Sequence, residues 1–225
     1  LLSMIRIHVV VEGHTEVAFI KNLLIDHFVQ LGIFLYPALV GKPGHKGGVI
    51  SYQRAKRDIL RYLRQEQHTY CTTMFDYYKL PNDFPGMPIQ GNLKSVQKAE
   101  IIERAFKEDI IKRTGPDFQN ERFIPYIQIH EFEALLFSDP GSLAKGIYRN
   151  DLETEFEEIC SAFESPEEIN DHPNTAPSKR IINLYKNYEK NTDGILAAIE
   201  IGLPKMRGKC KHFDLWLKQL ESLKR

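Results

Sequence analysis

Three places in the chain put ionisable side chains where chemistry could be done. Glu12 closes the apolar run HVVVEG, Asp76 closes YCTTMFDYY, and QIHEFE sets His130, Glu131 and Glu133 almost side by side. Gathered carboxylates repel one another and shift each other's pKa unless a cation neutralises them. Their hard oxygen donors suit Mg²⁺ or Mn²⁺. Such an ion can activate water and stabilise the charge that develops in phosphodiester cleavage. His130 could be a further ligand or a proton donor to the leaving oxygen. Glu131 and Glu133 share a side of a strand but not of a helix, whereas His130 and Glu133 share a helix face. Either glutamate can therefore complete the set with Glu12 and Asp76.

The elements around these groups decide whether they can meet. MIRIHVVV (4–11) is β-branched and bounded by Gly13, which predicts a strand. A helix follows, with Thr15 as N-cap, Glu16 as a capping or supporting acid, and Gly32 as its stop. IFLYPALV (33–40) predicts a second strand, at a sheet edge or with an irregularity because of Pro37. A basic helix over 51–65 precedes a third strand at 70–78, and a helix over 98–113 precedes a fourth strand that passes into a helix within 122–137. This alternation predicts an α/β fold with a mainly parallel four-stranded sheet flanked by helices. In such sheets ligands gather beyond the carboxyl ends of the strands, which is where Glu12, Asp76 and the HEFE acids fall. Residues 4–140 read as the α/β core, and 141–225 as a mostly helical C-terminal region packed on it. Within the latter, KHFDLWLKQL (211–220) lines up Phe213, Trp216, Leu217 and Leu220 as a core-closing helix.

With 225 residues, 42% hydrophobic and 27% charged, the chain has the composition of a globular protein with one sizeable core. No apolar run reaches the length of a membrane span, and no signal-peptide pattern opens the sequence; Met4 reads as its natural start. Cys71, Cys160 and Cys210 are odd in number and lack CxxC spacing, which speaks against disulfides or a zinc site and for a cytoplasmic setting.

The formal net charge of zero hides segregation. Residues 1–64 carry nine cations against four acids, 151–173 carry nine acids and no Lys or Arg, and 174–225 carry eleven cations against five acids. Two basic segments could thus meet a polyanion. In the first, Lys42, His45, Lys46, Arg54, Lys56 and Arg57 bracket Gly47 and Gly48, which allow backbone N–H groups near phosphate oxygens. In the second, TAPSKR (175–180) starts a helix whose Lys179 and Arg180 oppose the helix dipole unless an anion, or Glu167, Glu168 or Asp171, lies nearby. Tyr77, Tyr78 and Phe84 could stack on bases or simply pack. No Walker A sequence is present, so no ATP hydrolysis is expected of this chain alone.

VEGHTE, TTMFDYYKLPNDFP, IPYIQIHEFEALLFSDP, SPEEIND, TAPSKRI and CKHFDLWL together resemble a bacterial and archaeal family of unknown function in the Toprim-like superfamily. The resemblance runs from residue 11 to residue 217. It implies the metal-binding fold shared by primases, type IA and II topoisomerases and overcoming-lysogenization-defect nucleases. In those proteins a Glu ends the first strand and an Asp-x-Asp motif ends a later one. Glu12 matches the first, and Asp76 the first Asp of the second, whose partner position holds Tyr78. The HEFE acids are inferred to replace the missing carboxylate. Two functions follow as expectations. One is a Mg²⁺- or Mn²⁺-dependent nuclease-like enzyme acting on nucleic acid, in phage defence or DNA repair. The other is a non-catalytic or partner-dependent module that binds an ATPase in a defence complex. A phosphohydrolase of small nucleotides is a third.

Overall fold

The computed structural model describes residues 4–41, 51–65, 68–115, 118–169 and 173–224. Strand β1 (Ile5–Val11) is followed by a helical run made of α1 (His14–Phe19), a π-helical turn (Ile20–Leu24) and α2 (Ile25–Val29). Gly32, at φ 76°, takes the left-handed conformation that stops the run and turns it into β2 (Ile33–Leu39). Helix α3 (Tyr52–Gln65) leads to β3 (Thr69–Asp76), and α4 (Ser95–Ile111) leads to β4 (Phe123–Ile124) and β5 (Ile127–Gln128).

All pairings are parallel, in the order β2-β1-β3-β4, with β5 also on β3. The fourth strand expected from the sequence is thus two short pieces on one register line. Cys71 pairs Phe123 and Phe75 pairs Ile127, with the same offset. Pro125 has no N–H to give the ladder, and Thr73 bridges the gap. Its hydroxyl donates to the Tyr126 carbonyl (2.9 Å) and accepts from the Tyr126 N–H (3.0 Å). Pro37 sits in β2, an edge strand, as its chemistry requires.

Both sheet faces are covered, which explains the near-continuous valines of β1. Ile7, Val9 and Val11 enter the core shared with α1, α2 and the C-terminal helices, while Val10 enters the core formed with α3 and α4. After a 3-10 turn (Phe132–Ser138) come α5 (Pro140–Gly146), α6 (Glu153–Ser161), α7 (Pro177–Leu184), α8 (Asp193–Ile201), α9 (Leu203–Lys209) and α10 (Lys211–Glu221). Phe213, Trp216, Leu217 and Leu220 of α10 are all buried. The Trp216 ring stacks on Tyr126 at 4.3 Å, and its indole N–H donates to Thr72 Oγ1 at 2.8 Å. Phe84 is likewise a core residue, edge-on to Tyr52 and Phe106, and not a free stacking platform. Among the described residues no helix is long and apolar enough to cross a membrane.

Candidate metal and phosphodiester site

Glu12 follows β1 and Asp76 ends β3, neighbouring parallel strands, so the two acids reach the same rim. Glu12 Oε1 accepts the Asp76 backbone N–H at 2.7 Å. The chain then turns at His130, whose φ of 60° is rare for a residue with a side chain. That turn brings the Phe132 N–H to Asp76 Oδ1 (3.0 Å) and places Glu133 in the first turn of the 3-10 segment. Glu16, in the first turn of α1, joins them. Gly13 makes room for it: a Cβ there would stand 2.9 Å from Glu16 Oε2. The helix starts at His14 with Gly13 at the cap position, so Thr15 is not the N-cap. Its hydroxyl donates instead to Asn191 Oδ1.

Two lysines thread these carboxylates. Lys190 Nζ lies 3.1 Å from Glu133 Oε2, 3.5 Å from Asp76 Oδ2 and 3.6 Å from Glu16 Oε1. Lys79 Nζ lies 2.9 Å from Asp76 Oδ2 and 3.5 Å from Glu12 Oε2. Lys190 arrives on the segment between α7 and α8. Tyr188 anchors that segment by packing over Gly194, where a Cβ would stand 2.6 Å from the phenol oxygen. Asp193 anchors it too, accepting the Glu189 N–H at 2.8 Å.

The electrostatics follow from burial and neighbours. Burial, reinforced by Asp76, pushes the Glu12 carboxyl well above its usual range, with Lys79 opposing. Burial lifts Glu133 to about 7 against the pull of Lys190. Burial would raise Asp76 as well, but Lys190 and Lys79 hold it below its ordinary value. The donor set suits a hard divalent cation. Glu12 Oε2, Glu16 Oε1 and both Glu133 oxygens are buried without a hydrogen-bond partner. Four carboxylates against two ammonium groups leave a formal charge of −2 when all are ionised. Among the described residues, no three acidic, His or Cys side chains stand in metal-holding geometry. The Lys190 ammonium lies where three of the acids converge.

A profile for a family described as a domain of unknown function, DUF4276, matches residues 11–221. The chain belongs to the DUF4276 family. A comparison with curated proteins finds no match. Among solved structures, the C-terminal region of the Xanthomonas campestris pv. campestris OLD protein is similar to this DUF4276 chain at 12% identity and a TM-score of 0.36. The match covers 97% of this chain and 98% of that one; likeness at this level fixes no residue correspondence.

In the DUF4276 chain, Glu12, Asp76 and Glu133 are brought together, and Glu131 and His130 border them with other partners. Glu131 Oε2 accepts the Ser178 N–H (3.0 Å) at the start of α7. His130 Nε2 meets Ser95 Oγ (3.3 Å), which itself donates to Glu168 Oε2 (2.9 Å). Tyr78, in the place of a second aspartate, lays its ring 5.2 Å from that of His130. Of the basic residues singled out in the sequence, Arg54, Arg57 and Lys179 are exposed. Arg180 donates to the Thr175 carbonyl and covers the Phe163 ring. Glu167 caps α10 through the His212 and Phe213 N–H groups and not as a counter-ion of Lys179 or Arg180. Lys42, His45, Lys46, Gly47, Gly48 and Asp171 lie outside the described residues. Sequence reasoning missed Lys190 and Lys79 and undervalued Glu16. For Glu16 a signal existed, since it lies one turn beyond Glu12 and on the same side as the buried Phe19 and Ile20.

Proposed function

We propose that this chain is a Mg²⁺- or Mn²⁺-dependent phosphodiesterase acting on nucleic acid. The observation that carries the reading is the buried convergence of Glu12, Glu16, Asp76 and Glu133, with several oxygens lacking hydrogen-bond partners, at the carboxyl rim of the sheet. Glu12, Asp76 and Glu133 would hold the cation, which when bound supplies an activated water and charge stabilisation at the phosphate. The chain's own part is positioning and charge. Asp76 is oriented by the Phe132 N–H, and Glu12 is oriented by the Asp76 N–H. Lys79, its side chain 41% exposed and 2.9 Å from Asp76, would meet a phosphate oxygen. Lys190 offsets the charge of the acids from within. His130 serves as a positioning residue, because its left-handed turn aims Phe132 and Glu133 inward. A role in phage defence or DNA repair accords with this chemistry.

The test is cleavage of labelled DNA and RNA with Mg²⁺ or Mn²⁺ by wild type, Glu12→Gln and Asp76→Asn. Activity in the wild type alone supports the proposal; equal activity in all three, or none anywhere, rejects it.

A second reading is a non-catalytic module serving an ATPase partner. The ion pairs of Lys79 and Lys190 favour it, since they already compensate the acids. Calorimetric titration with Mn²⁺ separates the two readings: no binding by the wild type favours the module.

A further inference from the structure

Arg54, Arg57, Arg61 and Arg64 follow one another along α3 at steps of three and four, and all four are exposed. That spacing puts them in a single stripe about 15 Å long at the helical rise. Among the described residues the stripe has little to neutralise it. Asp58 accepts the Gly41 N–H at 2.9 Å and lies 3.6 Å from Arg61, while Lys56, on the flank, is the cation that pairs with Asp109. The opposite face of α3, with Ala55, Ile59 and Leu63, is buried against the sheet.

An aromatic platform adjoins the stripe. Tyr62 of α3 stacks on His8 of β1 at 4.1 Å and 15°, and the Arg61 guanidinium lies 5.1 Å over the Tyr62 ring. Tyr36, on the edge strand β2 and 45% exposed, sets its ring 5.7 Å from His8. Together with Arg6 and Gln65, His8 and Tyr36 line a crevice of about 240 Å³. His8 precedes Glu12 by four residues, which is about 13 Å along a strand. The Arg54 end of α3 faces the carboxyl rim, because α3 returns from that rim to the start of β3.

Guanidinium groups hold phosphates, and aromatic faces take bases of any sequence once these are unstacked. A duplex keeps its base faces hidden, so a surface that pairs both features favours unpaired strands. We infer that the α3 arginine stripe and the exposed Tyr36 ring, backed by the stacked His8 and Tyr62, form a track for single-stranded nucleic acid leading to the carboxylate rim. This deepens the proposed function by naming the strandedness of the substrate.

The test measures binding alone, by fluorescence anisotropy of labelled single-stranded and duplex oligonucleotides in EDTA, so that cleavage does not enter. Wild type and Glu12→Gln are expected to bind the single strand at least about fivefold more tightly than the duplex. Tyr36→Ala should lose about five- to tenfold, in keeping with the loss of one stacked base, and Tyr36→Trp should retain affinity. Arg57→Glu with Arg61→Glu should lose at least tenfold and lower the slope of log K against log salt by about 1.4, for two lost phosphate contacts on a single strand. Lys209→Glu, a single charge reversal on α9 across the sheet, should bind as wild type does. Equal or tighter binding of the duplex, or wild-type affinity in both the Tyr36→Ala and the double-arginine variants, overturns the track. Cleavage that persists while these variants bind normally would reject the track and leave the metal site standing. Variant-sensitive binding without any cleavage would do the reverse.

Discussion

The Asp76 backbone N–H donates to Glu12 Oε1 at 2.7 Å, so the acids that close β1 and β3 are tied into one unit. Parallel pairing makes this possible, because Val11 faces Met74 and both chains leave the sheet on the same side. A change at either acid is therefore felt by the other.

In the absence of divalent cations, Glu133→Gln should stabilise the protein at pH 8 and have little effect at pH 4.5. The Glu133 carboxyl is raised to about 7, with burial as the main cause. Its contribution is thus fully present below the unfolded value of about 4.5 and is lost as pH rises through 7. The gain at pH 8 is bounded by about 3 kcal/mol, less whatever the buried amide costs. Urea denaturation in EDTA at the two pH values measures it; an equal effect at both would refute it.

Lys190→Met should destabilise the cation-free protein by about 3–5 kcal/mol, because it leaves Asp76, Glu133 and Glu16 facing one another uncompensated. The loss should shrink at low pH, where the carboxyls are protonated, and should also shrink when Mn²⁺ is added. Denaturation with and without Mn²⁺ checks both. A loss indifferent to pH and to Mn²⁺ would mean that packing, not charge, is what Lys190 supplies.

Mn²⁺ should raise the thermal midpoint of the wild type, and should not do so for Glu12→Gln combined with Asp76→Asn. Binding to the folded state alone adds about 2.7 kcal/mol at a free concentration of 100 Kd. Scanning calorimetry over a Mn²⁺ series gives the answer, and an identical rise in both proteins would move the ion elsewhere.

Glu103→Gln should cost more stability at pH 5.5 than at pH 8.5. His212 Nε2 meets Glu103 Oε1 at 2.9 Å. Although burial disfavours the imidazolium, Glu103 outweighs it and holds the His212 pKa above its ordinary value. The stabilisation is therefore complete below about 6.5, the unfolded value, and is lost as pH rises through the folded one. A flat difference between wild type and variant across this range, followed by chemical denaturation, would contradict the pairing.

Strand identity and the placement of Glu12 and Asp76 were legible because they rest on local pattern. A β-branched run must be a strand, its polar end must be where the apolar sheet stops, and right-handed parallel connections send successive ends to one side. Pro37 left β2 either at an edge or irregular, and the strand order puts it at the edge. The break in the fourth strand was not, since it depends on Thr73 of another strand taking over the bonds that Pro125 cannot make. The cap at Gly13 was missed because Thr15, a good capping residue by type, is drawn away by Asn191.

Lys190 marks the limit most clearly. It lies 114 residues beyond Asp76 in a polar stretch, NYEKNTDG, within the region that the sequence marks only as mostly helical. The packing of Tyr188 over Gly194, with Asp193 accepting the Glu189 N–H, carries its ammonium among the acids. The sequence by itself determined the α/β order, the sheet that carries the acids, and the rim at which Glu12 and Asp76 appear, because short-range stereochemistry and apolar periodicity govern all three. The tertiary structure alone decided which acids share a site and which cations balance them. Coulomb forces between side chains depend on distances through space, and those are set by the packing of elements far apart in the chain.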